Sequence, residues 1–389
     1  MSPVPAPSET LDLRVVSDAT QWDALEPAWR ALWAASGAAN SMRWEWMRTW
    51  WHIYGETYGA DGLRIVVLER SGRVVGFVPL YIGRNQASPA SPRELRFLST
   101  GEARFEETCA AYLTLLSLPA DAEPCAAAFA AAVDDGRLGT CDRLQFFCVD
   151  PGSPLLHAWP ATRATWTPER QGPCYVANLE GSFDEYLGRL SSNTRQQARR
   201  ILRSAEQGGT TFEIASTPEQ IDRFYGDLVD LHQARWQKEG QAGCFAAERF
   251  KSFHRTLSHA LLEAGDVVLA RLSREGTPIA VIHGYVAGSR FEYYLAGTAL
   301  ETGDLKSPGI AAHLRLKMAL IERGVREYDY MHGFSRYKIQ YATGSRDIFQ
   351  MGFERTTARG VAHSLWRAGR GAAQGMRRAA YRAIGASVD

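Results

Sequence analysis

Between Phe291 and Tyr341 the chain switches twice between the period of a strand and the period of a helix. Phe291 to Leu295 is a short apolar run of strand type. After a polar stretch, apolar residues recur at Ile310, Leu314, Met318 and Ile321, the spacing of a helix. Ser307 stands where an N-cap is expected, and Pro308 at the first helical position, where a missing N–H costs nothing. Gly324 closes the helix and Val325 to Met331 returns as a strand. Strand, turn, helix N-terminus and strand together aim unpaired amides and a positive dipole end at one point, which can seat a phosphate or pyrophosphate.

The rest of the chain reads by the same rules. Residues 1–10 are a flexible Pro- and Ser-rich lead, followed by a strand over Leu11 to Val16 and a helix with Trp22, Leu25, Trp29 and Leu32 on one face. A second helical stretch, Ser41 to Tyr54, carries Trp44, Trp46, Trp50 and Trp51, which are expected in the core. Leu63 to Glu69 and Val74 to Ile82 flank Ser71-Gly72, a hairpin signal. Glu94 to Ser99 reads as a strand, Glu123 to Val133 as an alanine-rich helix, Arg143 to Val149 as a buried strand, and Gly152 to Pro173 as a link.

Displaced by about 204 residues, the first half falls on the second: Arg70 on Arg274, Gly72 on Gly276, Gly76 on Ala280. The start Thr217-Pro218-Glu219-Gln220, with Ile221, Phe224, Leu228 and Leu231, repeats the role of Thr20 to Leu32. One domain type used twice predicts an α+β protein of two tandem domains, each a mixed, mostly antiparallel sheet flanked by helices, with the later strands parallel around a crossover helix. The expected boundaries are 11–175 and 176–355, with 356–389 as a basic, Ala- and Arg-rich tail lying as a surface helix. The copies are unequal. The first approaches its crossover helix through Gly101 to Ala122, where Glu102, Glu106, Glu107 and Asp121 would repel a pyrophosphate. Donor binding is therefore expected in the second half, with the first as support and one wall of an acceptor cleft.

Composition narrows the function classes. The 389 residues carry a formal charge of +1, so no global field points to nucleic acid or an acidic partner. The start has neither a basic n-region nor an apolar h-region, and no long apolar run follows, which predicts a cytoplasmic protein without a transmembrane segment. The six cysteines lack any C-x-x-C pair and are expected as reduced thiols. His283, His313 and His332 lack ligand spacing, so no metal is expected. No P-loop, dinucleotide fingerprint or G-x-S-x-G elbow is present.

The strand Tyr293-Tyr294-Leu295, the start Ser307-Pro308-Gly309, the strand opening Gly324-x-Arg326-x-x-Asp329, and Gly333 to Lys338 occur in an order that resembles the BioF2-like and CelD-like acetyltransferases of the GNAT superfamily, relatives of the FemABX peptidyltransferases. The resemblance extends back through Asn193 to Arg200 and Leu231 to Trp236, and covers the first half in outline. It implies a tandem GNAT fold and an N-acyltransferase that takes acetyl-CoA or a longer acyl-CoA as donor and a small-molecule or sugar amine as acceptor, without a covalent enzyme intermediate. Two alternatives stay open at this point: an aminoacyl-tRNA-dependent ligase of FemABX type, and a non-catalytic GNAT-like protein of polysaccharide or envelope assembly.

Acyl transfer to an amine needs an anchored donor, a base for the amine and a fixed group for the developing oxyanion. Lys306, Ser307, Pro308, Gly309 and Ile310 form the expected donor seat. Asp329, with Glu292 as second choice, is the candidate base, and Tyr293 a candidate proton donor to the leaving thiolate. By similarity with the FemABX enzymes, Lys338 polarises the donor carbonyl. Arg195 and Arg199, on one face of a helix with Arg203, are candidates for phosphate or polyanion contact. His232, Arg235, Trp236 and Tyr337 are placed where an acceptor would enter.

Overall fold

The computed structural model of the protein describes residues 11–59, 62–84, 91–159, 168–303 and 305–354; the Pro- and Ser-rich lead and the basic tail lie outside them. The first half runs β1 (Leu11–Val16), α1 (Ala19–Asp23), α2 (Glu26–Ser36), α3 (Trp44–Tyr58), β2 (Leu63–Arg70), β3 (Arg73–Arg84), β4 (Arg93–Phe97), β5 (Leu116–Ser117), α4 (Pro119–Asp134), β6 (Arg143–Val149) and β7 (Glu169–Asn178). The second runs α5 (Phe183–Gly188), α6 (Ser192–Gln207), β8 (Thr210–Ile214), α7 (Pro218–Lys238), α8 (Glu248–Leu262), β9 (Val267–Arg274), β10 (Thr277–Ala287), β11 (Arg290–Thr298), α9 (Pro308–Glu322), β12 (Glu327–His332), α10 (Arg336–Tyr341) and β13 (Gly344–Glu354).

The strands form one mixed sheet in the order β1-β2-β3-β4-β6-β13-β7-β12-β11-β10-β9-β8, with β5 pairing β3 off that path. The order is mirrored about the β13–β7 ladder. On each side an antiparallel hairpin leads to a parallel pair, β4 with β6 and β11 with β12. The closing strand of each side comes from the other end of the chain: β7 follows the first half but pairs β12, and β13 ends the second half but pairs β6. The two then pair with each other. The sheet thus cannot be cut into two consecutive segments without breaking a ladder.

The internal repeat is visible in the register. Gly76 opposes Leu68, and Ala280 opposes Leu272 at the matching place. The two hairpins turn through Ser71 (φ 51°) and Gly72 (φ 75°), and through Glu275 (φ 51°) and Gly276 (φ 78°). Two positive-φ residues in a two-residue turn give the twist that antiparallel strands require. Of the four tryptophans expected in the core of α3, Trp44, Trp46 and Trp50 are buried and Trp51 is half-buried against them; Trp22 and Trp29 are fully buried, and Trp29 stacks on Phe77 at 4.8 Å.

Several predicted elements differ. The helix expected over Trp22 to Leu32 is two, α1 and α2, because Pro27 follows the break and fits only the opening turn of a new helix. The helix expected from Ser41 starts as a 3-10 turn, Asn40–Met42, and becomes α only at Trp44. The expected link to Pro173 holds the first residues of β7. In α9 the buried stripe is Ala312, His313, Leu316, Lys317 and Leu320 around Leu314, whereas Ile310, Met318 and Ile321 are half-buried. Two polar residues on that stripe disguised it.

The larger apolar cluster joins the first half to the α7 and α8 face of the second, and a smaller one lies between α5, α6, α9 and the strands β9 to β12. Among the described residues no helix is long and apolar enough to cross a membrane.

Candidate functional site

The end of β11 and the start of α9 make the first part of the site. Ser307 adopts the left-handed conformation (φ 52°, ψ 58°) and caps nothing with its side chain, which corrects the expected N-cap. No acidic residue occupies the first turn, and Pro308 stands at its opening. The first amides of α9 are consequently left without a side-chain partner at the positive end of the helix dipole. Beside that start lies a cavity of about 480 Å³ lined by Gln197, Arg200, Ile201, Arg203, Ser204, Gln207, Lys306 and Ser307. Gly309 is needed there, because a Cβ would lie 3.0 Å from the Thr298 hydroxyl. Ile310 is half-buried at the edge of the core beneath.

The amphipathic helix α6 supplies the cations. It packs Ala198, Ile201 and Ala205 into the same core as α9, which turns Arg200 and Arg203 toward the helix start. Among the described residues neither they nor Lys306 is paired with a carboxylate. Arg195 and Arg199 point instead into a neighbouring hollow with Ser192, Asn193, Gln196 and Arg203. Arg199 there meets Asp184 at 3.2 Å, and Arg195 donates to the Gly188 carbonyl at 3.4 Å. Arg203 alone reaches both hollows. Of the four arginines expected along this helix, Arg200 and Arg203 line the cavity at the start of α9, whereas the four-residue spacing had grouped Arg203 with Arg195 and Arg199.

The second part is a gap in the sheet. Parallel pairing of β11 and β12 lasts three residues, from Arg290–Glu327 to Glu292–Asp329. Tyr293 and Tyr330 are the first residues beyond it, both directed to the α9 side, with their rings edge-on at 6.3 Å. Tyr337 of α10 donates to the Tyr293 hydroxyl at 3.2 Å. The Lys338 amine lies 5.6 Å from the Tyr293 ring and donates to the His332 carbonyl at 3.2 Å, and partial burial draws its pKa down. Burial pushes the Tyr293 hydroxyl well up, so it stays protonated.

Alternation along β11 and β12 sends the two candidate carboxylates to the opposite face, into the seam with the first half. Glu292 accepts from the Asn40 amide and side chain, at 3.2 Å each, and pairs with Arg290 at 2.9 Å. Asp329 accepts from the Tyr112 hydroxyl at 2.6 Å and the Met331 amide at 2.7 Å, with the Arg346 guanidinium at 3.8 Å. Burial raises its pKa to about 6, against the opposing pull of Tyr112 and Arg346. Tyr294 belongs to this face too and donates to the Thr108 carbonyl at 2.6 Å.

The end of α7 closes the site. At Gly297 a Cβ would come within 2.7 Å of the Leu231 Cβ, so glycine lets α7 lie directly on β11 and brings His232 beside the gap. Trp236 donates to His232 Nε2 at 2.9 Å, and burial lowers the pKa of this imidazole. Arg235 pairs with Glu239 at 3.2 Å, and its charge reaches Tyr293 and Tyr337. Among the described residues no group of three or more His, Cys, Asp or Glu side chains could hold a metal ion. Three residues that the sequence did not single out lie here: Tyr112, Tyr330 and Lys317. The signal for Lys317 was its place four residues after His313 on the buried stripe of α9.

An acetyltransferase (GNAT) domain family matches residues 192–339, the stretch from α6 to α10 that carries the cavity and the gap. No curated protein matches the chain by sequence. Among solved structures the chain is similar to FemX, with 12% identity, 88% of this chain and 97% of that one covered, and a TM-score of 0.58. A conserved protein of unknown function from Bacteroides thetaiotaomicron gives 14%, 88%, 100% and 0.54, and L-PGS from Bacillus licheniformis 13%, 86%, 94% and 0.51. Identities this low speak to the fold alone. With the domain match over residues 192–339 and the mirrored sheet, they support a fold of the tandem GNAT kind, similar to that of FemX.

Proposed function

We propose that the protein transfers an acyl group from acyl-CoA to a primary amine of a small molecule or sugar, by direct attack of the amine on the thioester. The observation that carries this reading is the uncapped start of α9 opening on a cavity with Arg200, Arg203 and Lys306. Fixed amides, a helix dipole and three cations at one place suit a diphosphate. The gap past Glu292 and Asp329 would take the acyl end, where Lys338 and the Tyr293–Tyr337 pair could meet charge developing on the carbonyl oxygen or leaving sulfur. Glu292 has its oxygens engaged by Asn40 and Arg290. Asp329, whose pKa burial raises to about 6, is the proposed base, reached through Tyr112 or a water because it is fully buried. His232, Arg235 and Trp236 would border the acceptor. Use of acyl-CoA would place the reaction in the cytoplasm, and the reading needs no metal.

Calorimetric titration with CoA tests it. Wild type should bind, and Arg200→Glu with Arg203→Glu should weaken binding by at least about 100-fold, roughly 2.7 kcal/mol. Equal affinity in the two proteins would remove the assigned seat. One observation favours a second donor: the arginine-lined hollow of α6 continues past the helix start to Arg195 and Arg199, which suits a longer polyanion such as the acceptor end of an aminoacyl-tRNA. Activity that survives ribonuclease excludes it.

A further inference from the structure

Phe334 is the most exposed large apolar side chain among the described residues. Its ring is 83% exposed, against 39% for Phe105, 44% for Ile339 and 47% for Leu300. It stands in the turn between β12 and α10, one residue after Gly333. Gly333 (φ 113°) lies so close to the Lys338 amine that a Cβ there would be 3.6 Å from Nζ. The same amine donates to the His332 carbonyl at 3.2 Å, so the turn wraps the cation that the proposed reaction sets against the donor carbonyl. Phe334 therefore stands at the mouth of the gap, with Ile339 exposed on the short helix that follows.

The exposure is imposed by the backbone. Met331 is held at φ 57° with its amide on Asp329 at 2.7 Å, and Gly333 turns the chain at positive φ. The helix α10 is fixed at its far end, where Tyr186 donates to the Tyr341 carbonyl at 2.9 Å, and at its side, where Gln340 donates to Gln197 of α6 at 2.7 Å. Between these anchors the chain holds Phe334 outward, and among the described residues no aromatic ring packs on it. A ring already fixed in water costs little further ordering when a ligand covers it, which makes it a ready contact for an apolar group. An ammonium is a poor occupant, because the Lys338 charge lies beside the same turn. The nucleotide end of the donor is excluded by place: it lies on the far side of the diphosphate, which the reading above seats at the start of α9.

We propose that Phe334 is a specificity-determining residue, and that it reads an aliphatic chain carried by a substrate of the transfer reaction. The inference rests on the acyl-transfer reading given above and names the substrate class within it. With the thioester carbonyl at Lys338, an acetyl group ends at the methyl next to that carbonyl and leaves the ring in water. A longer chain, continuing from the acyl carbon or joined to the amine of the acceptor, runs out of the gap across Phe334, and water is released from both apolar surfaces. The chain forms no bond to the protein and takes no part in the chemistry. Its contact is made in the ground and transition states alike, so its signature is a kcat/KM that rises with chain length.

The test uses the full chain in two arms. In the first, acetyl-CoA and decanoyl-CoA are compared over a panel of primary amines; in the second, ethylamine and octylamine are compared with the better of those donors. Wild type should prefer the longer partner in one arm by at least about tenfold in kcat/KM, and the arm that shows it tells whether the chain belongs to the donor or to the acceptor. Phe334→Ser should erase that preference and Phe334→Leu should keep most of it, both with the wild-type melting temperature, since the exposed ring covers no core. Three results would overturn the inference: no preference in either arm, a preference that survives Phe334→Ser, or a Phe334→Ser enzyme slowed equally with short and long partners. Failure of wild type to bind CoA in the calorimetric titration, or to turn over either donor with any amine, overturns the donor reading first, and this inference with it; CoA binding and turnover without a chain-length preference overturns only this one.

Discussion

The two halves of the sheet share a hairpin, a parallel pair and a crossover helix, yet they differ in what stands beyond that pair. In the first half, pairing of β4 with β6 stops after Glu94–Arg143 and Leu95–Leu144, and the space beyond is filled. Phe97 and Phe146 meet there at 4.5 Å, and the chain before β5 bridges in at Leu113 to Val149. The first turn of α4 carries Asp121, which is paired with Arg70. In the second half the corresponding space is bordered by tyrosines, and the first turn of α9 has no acid. Filling one gap with aromatic rings and the other with hydroxyls and amines separates support from chemistry. The filled half is not idle: the loop that plugs it also reaches Asp329 through Tyr112, itself in the left-handed region at φ 59°.

If the first gap is core, Phe97→Ala should cost about 3–5 kcal/mol in denaturant unfolding and leave CoA affinity unchanged. Its counterpart Tyr293→Phe should cost under about 1 kcal/mol, since only one hydroxyl partner is lost, while lowering turnover. A change of CoA affinity in Phe97→Ala would break the comparison. Next in size is the seam itself. Glu292→Ala strands Arg290 and the Asn40 amide, so about 3 kcal/mol should be lost, with one cooperative transition before and after. Two separate transitions in the wild type would mean that the halves are independent after all.

A third effect is on pH dependence. His254 and His283 are buried beside the seam, with the His254 imidazole well below its usual range and His283 drawn down to about 3, both by desolvation. Both elements packed there also offer Tyr285, Tyr294 and Tyr225, and among the described residues no carboxylate is paired with either imidazole. Below pH 6.5 the unfolded chain takes up protons that the folded one refuses. Stability therefore falls as pH falls, by up to about 1.4 kcal/mol per unit for each histidine. Asp329 acts with the opposite sign: with its pKa raised to about 6, it favours folding at low pH and gives that up as pH rises through 6. Two histidines outweigh one carboxyl, so the melting temperature should drop between pH 7 and pH 5. A flat or rising profile would place water or a counter-charge beside those imidazoles.

Much of the fold was legible in the chain because its signals are local. Hairpin turns at Ser71-Gly72 and Glu275-Gly276, the proline-opened helices and the repeat that relates them follow from periods of two and 3.6 residues. The helix start at Ser307 was legible for the same reason, although its capping was not: a serine at positive φ leaves its side chain off the first amides. Which arginines of α6 reach the start of α9 was not legible, nor was Lys317, since which face of α6 or α9 is buried depends on what packs there.

The sequence alone determined the elements, the doubling and the asymmetry between an acidic and a glycine-marked approach to the crossover helices. Tertiary structure alone decided that β7 and β13 trade places, that Asp329 and Glu292 face the seam while Tyr293 and Tyr330 face α9, and that a lysine lies among tyrosines. The division has one cause. Dihedral preferences and hydrophobic period act over a few neighbouring residues, whereas strand exchange and the burial of charge are settled by partners far away along the chain.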